Sequence, residues 1–142
     1  MLTIRPASRS DADAIWEIFR EGVRSGDFEL LVHAVTDPVV PEDEFFGPEE
    51  GNRWVAIEVS ITNVSDEPKD YGPYDFKVRD ADNFEHDPGF VDLERDLSSG
   101  SLLPGDTIRG QIGFEVPLDA ELVRLVFHGF IGEGNRIDID LP

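Results

Sequence analysis

The sequence has no cysteine, a single methionine, and only two lysines, Lys69 and Lys77, beside ten arginines. The missing thiols exclude disulfides, Cys-ligated zinc, iron–sulfur clusters and thiol nucleophiles together. Positive charge is scarce as a whole: 12 Lys+Arg stand against 31 Asp+Glu, a formal net charge of -19. Such a chain repels nucleic acid and anionic lipid, and neither is expected as a partner. No apolar run approaches the ~20 residues of a membrane helix, so membrane insertion is not expected either. Met1 leads into Thr3, Arg5 and Pro6 with no signal-peptide core, and the chain as written is expected in the cytoplasm. The preference for arginine and the carboxylate excess fit a high-GC or salt-adapted prokaryotic genome, in which exposed acids keep a protein soluble.

The 142 residues, 39% of them hydrophobic, suffice for one core. Their charge changes near residue 26. Arg5, Arg9, Arg20 and Arg24 balance Asp11, Asp13, Glu17 and Glu21, so the net negative charge lies entirely downstream. This seam divides the chain into an extension, residues 1–25, and a main domain, residues 26–142. In the extension, TIR reads as a strand and residues 11 to 21 as an amphipathic helix. Ser10 would cap it with Asp13 three residues on, Ala12, Ile15, Ile18 and Phe19 would form its apolar stripe, and Gly22 would stop it. The stretch TIRPASRSDADAIWEIFREGV resembles the first strand and helix of the GNAT acetyltransferase superfamily, which implies coenzyme A. The Gly-rich loop that would hold the pyrophosphate is not found after residue 26, and no helix pattern follows Gly100, Gly105, Gly110 or Gly113. No cofactor is therefore expected, and a degenerate acetyltransferase is kept as the alternative.

From Phe28 onward apolar residues alternate. FELLVHAV reads as a strand, and RWVAIEVSITNV places Val55, Ile57, Val59 and Ile61 on one face. YDFKVRD, TIRGQIGFEV, ELVRLVFHGFI and RIDIDL continue the pattern, with turn clusters SDEP, DADN, LPGD, PLDA and GEGN between runs. Six or seven antiparallel strands in this span predict a mainly β fold, an immunoglobulin-like antiparallel β-sandwich.

The order NRWVAIEVSITNVSDEP, DFKVRDADN, LLPGDTIRGQIGFEVP, ELVRLVFHG and RIDIDL resembles the domain of unknown function family 4352 over residues 26–142. Its most specific elements are Asn63 at the end of the long strand and the series Pro104–Gly105, Gly110, Phe114 and Pro117. The resemblance implies an immunoglobulin-like sandwich akin to a secreted immunoprotective antigen of mycobacteria. It also implies frequent export or lipid anchoring and no enzymatic activity.

Candidate sites are few. RDADNFEHD gathers Asp80, Asp82, Asn83, Glu85 and Asp87, hard oxygen ligands at a density that Ca²⁺ can use. The EF-hand glycine and twelfth-position glutamate are missing, and a hairpin turn held by Asp and Asn side chains explains the same residues. The loop PEDEFFGPEE sets Phe45 and Phe46 among carboxylates. They are candidate partner-binding aromatics, or else a plug for an open end of the sandwich. His33, His86 and His128 match no zinc spacing, and no G-x-S-x-G elbow marks a serine nucleophile. Asn63 begins a formal glycosylation sequon and reads as a strand-ending turn residue. The expectation is a non-enzymatic binding or interaction module, with no catalytic residues, for a protein or cell-envelope ligand. A purely structural assembly domain is the third reading.

Overall fold

A computed structural model describes residues 3–6, 14–19, 23–41, 47–89, 91, 93–128 and 136–141. The strand of greatest consequence is β5 (Asn52–Asn63), numbered after β1 (Thr3–Pro6), β2 (Ala14–Phe19), β3 (Val23–Ser25) and β4 (Phe28–Asp37). Alternation buries Val55, Ile57, Val59 and Ile61 completely, as the sequence predicts. β5 lies between β4 and β10 (Thr107–Pro117), antiparallel to both, and pairs with β10 from Thr62↔Thr107 to Asn52↔Pro117 without a break. On the β4 side the register shifts by one residue around His33, a bulge that turns this side chain toward Ser60. β3 and β4 join through Gly26 and Asp27, with Gly26 at φ 58, a two-residue hairpin turn.

The opposing sheet has the order β12-β11-β7-β8, built from β7 (Phe76–Asp80), β8 (Glu85–His86), β11 (Leu122–Phe127) and β12 (Ile137–Asp140). Phe76, Val78, Leu125, Phe127, Ile137 and Ile139 from this sheet are buried in one core with the inward residues of β4, β5 and β10. Phe127 joins the layers, its ring 5.4 Å from Phe28 in an edge-to-face contact and 5.0 Å from Phe76. A two-stranded ribbon, β6 (Lys69–Tyr71) with β9 (Gly100–Leu102), lies between β5 and β10 in the chain. The result is two packed antiparallel layers, the architecture expected from alternation.

The N-terminal helix is not formed. Residues 14–19 of the expected helical span 11–21 are the strand β2, which pairs with β1 on one side and with β4 on the other, from Ala14↔Asp37 to Glu17↔Ala34. The remaining residues of that span lie outside the described ones. AIWEIF carries two isoleucines, a tryptophan and a phenylalanine, residues that favour strands as readily as an amphipathic helix face. The open edge of β4 offers a hydrogen-bond ladder that an isolated short helix cannot match. The GNAT resemblance, which required a helix after the first strand, falls with it.

Candidate functional site

The edge of β10 away from β5 is met by a strap, of which residues 88, 89, 91 and 93–97 are described, and the two are hydrogen-bonded at two places. Pro88 bridges Phe114, with Gly89 N–H donating to Gly113 O at 2.9 Å. Asp96 bridges Gln111, whose carbonyl accepts from Leu97 N–H at 2.8 Å and whose N–H donates to Arg95 O at 2.7 Å. Two glycines of β10 permit so close an approach. A Cβ on Gly113 would lie 2.5 Å from Val91 Cβ, and one on Gly110 would lie 2.9 Å from Leu97 Cα.

Beside this contact lies a cavity of about 260 Å³ at the sandwich edge. Gln111, Ile112 and Gly113 form its floor, while Pro88, Gly89, Val91, Asp96, Leu97 and Ser98 come from the strap and the residue after it. Pro73 and Tyr74 close the far wall from a single 3-10 turn, Pro73–Asp75, before β7. Tyr74 is 79% exposed although it lines the cavity, so its ring stands at the mouth. Behind it, Asp75 accepts from Gly72 N–H at 3.0 Å, and burial raises its carboxyl above the ordinary value.

The acidic turn expected at residues 80–87 exists, but its side chains serve the hairpin. Asp80 is buried and accepts from Asp82 N–H at 2.9 Å and Phe84 N–H at 3.0 Å, with His86 Nε2 2.9 Å from its second oxygen. The His86 hydrogen bond, with the two backbone ones, holds the Asp80 carboxyl below its ordinary pKa. Asn83 takes a positive φ of 69, Glu85 pairs with Arg79, and Asp87 pairs with Lys77. Among the described residues no three His, Asp or Glu side chains converge as a metal site. Phe45 and Phe46 lie outside the described residues.

Three other polar clusters stand out, and each joins strands. Asn63, fully buried, donates to Glu67 O and Leu102 O, both at 2.9 Å, and accepts from Ser65 N–H and Oγ. Its backbone also bonds Asp106 O and Gly105 N–H, with Gly105 at φ 85. At the other end of the sheet, Arg53 forks onto both oxygens of Asp37, at 2.7 and 3.1 Å, and reaches Pro117 O. Beside it Glu115 accepts from Asn52 and Trp54, bonds that hold its carboxyl below the ordinary value.

His33 Nε2 lies 2.5 Å from Ser60 Oγ on the outer face, near the Glu58–Arg109 ion pair. Burial, then the Arg109 charge, lowers the pKa of His33. The pair has the residue types of a hydrolytic dyad but not its setting. Ser60 sits mid-strand between Leu31 and Arg109, where the β5 amides are committed to the ladder rather than converging on an oxyanion.

Sequence reasoning located Asn63 and the acidic turn but missed the cleft, whose walls come from three distant segments. The one available signal was the pair of glycines, Gly110 and Gly113, inside a strand, where a close approach by another backbone is the usual reason.

Solved structures share this fold. The yjhA protein from Bacillus subtilis aligns with a TM-score of 0.66 at 20% identity, over 86% of this chain and 96% of its own. The B. subtilis protein described as a "putative lipoprotein (ycdA)" aligns with a TM-score of 0.70 at 12% identity, over 87% of this chain but only 38% of its own. An uncharacterized β-sandwich protein from Clostridium difficile aligns with a TM-score of 0.50 at 16% identity, over 86% of this chain and 90% of its own. No curated protein matches in sequence. The model of the domain of unknown function DUF4352 matches residues 20–137, most of the chain: the chain belongs to the DUF4352 family.

Proposed function

We propose that this domain is a non-enzymatic binding module that engages a protein partner through the cleft at the β10 edge. The observation that carries the reading is the contrast in use of side chains. The polar constellations that could suggest chemistry, around Asn63, Arg53, Glu115 and Asp80, are occupied in joining strands and turns. The cleft instead keeps unfilled space behind an exposed aromatic ring. Its volume, about 260 Å³, is below the roughly 300–1,000 Å³ of pockets for drug-sized ligands and cofactors, and suits one side chain of a larger partner. Association with the cell envelope is a further part of the proposal, supported by the likeness to ycdA in fold.

The test is comparative capture from source cells, membrane fractions included. Wild-type domain, Tyr74→Ala, Ser98→Phe to fill the cleft, and Leu118→Ser as an exposed control would be used as baits. A partner retained by wild type and the control but lost by both cleft variants supports the module. Identical captures from all four would overturn it, and turnover of a substrate dependent on Ser60 and His33 would replace it with an enzyme.

A further inference from the structure

Charge selects among the ligands that the cleft can hold. Its apolar lining comes from Pro73, Pro88, Val91, Leu97 and Ile112, its one carboxylate among the described residues is Asp96, and the Tyr74 ring stands at the mouth. Among the strap's described residues Glu94 and Asp96 are acidic and Arg95 is basic, in a chain with a net charge of -19. The summed field repels an anion and concentrates a cation at this edge. A purely apolar group would fill the walls but make no use of the aromatic face or of the surrounding negative field. An inorganic cation would use the carboxylate but leave the walls empty.

Resting on the binding-module reading, we propose that the cleft receives a lysine or arginine side chain from an extended segment of a partner polypeptide. The aliphatic stem would lie against Pro73, Pro88, Val91 and Leu97, as long basic side chains cover apolar surface while keeping their heads wet. The charged head would lie between the Tyr74 ring and Asp96, where a cation over an aromatic face and a charge-assisted hydrogen bond act together. Asp96 already has an interaction within the chain, so the incoming cation joins that arrangement rather than meeting a bare carboxylate. A polypeptide is favoured over a free cation because the mouth runs along a sheet edge. Gly89, Asp96 and Ser98 are exposed there, leaving room for backbone on either side of the inserted side chain.

The experiment is amide-resolved NMR on the full chain, titrated with the Nα-acetyl methylamides of lysine, arginine, norleucine and glutamate. The lysine or arginine probe should shift the amides of Tyr74, Gly89, Leu97, Ser98 and Gly113 in a saturable way. Norleucine, with the same stem and no charge, should bind about fivefold more weakly, and glutamate should not bind. Tyr74→Ala, on an exposed side chain that folding does not need, should weaken the cationic probe by a similar factor, and Leu118→Ser should not. Equal binding of norleucine would overturn the cation inference and leave the cleft as a binding site. Shifts spread over the acidic surface and abolished by physiological salt would overturn it as general charge attraction. If no probe shifts any cleft amide, the cation inference and the binding-module reading both fall.

Discussion

The corner around Asn63 and the cleft beside β10 are built from the same kinds of segment, a strand end or edge met by a crossing loop, yet they are finished in opposite ways. At the corner one buried amide satisfies two carbonyls and two donors, and Gly105 turns the chain so that its own N–H bonds Asn63 O. At the cleft the crossing strap hydrogen-bonds β10 through Gly89, Arg95 and Leu97 and packs Val91 on Gly113, yet a cavity remains beside it. The difference shows that the side chains of the Asn63 corner hold the fold together. The cleft, where a partner is proposed to bind, is a place that a linear motif does not mark.

Three substitutions sharpen that comparison, in descending order of effect. Phe127→Ala removes the ring that links both sheets and should cost about 3–5 kcal/mol. It should lower the melting temperature by on the order of 10 °C or more, read by circular dichroism. Gly113→Val forces a side chain into the space of Val91 Cβ and should cost about 1–3 kcal/mol. Hydrogen exchange should show the Gly89 and Leu97 amides losing protection while the β4–β5 ladder keeps its own. Loss of protection throughout the sheet would mean that the strap and the core are one cooperative unit.

The third is a pH effect at the acidic hairpin. The folded-state pKa of Asp80 is depressed, so its stabilising contribution is complete above the unfolded carboxylate value near 4 and is lost as pH falls through the lower folded value. Asp80→Asn should therefore lower the melting temperature at neutral pH and flatten its decline below about pH 4. Parallel curves for variant and wild type would show that other carboxylates govern the acid response.

Much of the sandwich was legible because burial on one face imposes period two. Val55 to Ile61, Phe76 with Val78, and Ile137 with Ile139 announce their inward faces one residue at a time. Asn63 was legible as a strand-ending residue because its bonds to Ser65 and Glu67 are local. Its bond to Leu102, thirty-nine residues away, was not. The N-terminal strand was misread because AIWEIF satisfies both periods over so short a window, and the deciding term is the edge of β4, which a local pattern does not contain. The cleft was hidden for a related reason. Pro73, Tyr74, Pro88 and Gln111 become neighbours only after both sheets and the strap are in place.

The most direct test is a side-by-side measurement of melting temperature for Asn63→Ala and Tyr74→Ala. Removing the buried amide leaves carbonyls and an N–H without their partner and should cost about 2–3 kcal/mol, a drop of roughly 5–10 °C. Removing the exposed ring should leave stability within about 0.5 kcal/mol of wild type. A Tyr74 variant that melts as early as the Asn63 variant would contradict the division, since the cleft would then be part of what holds the fold.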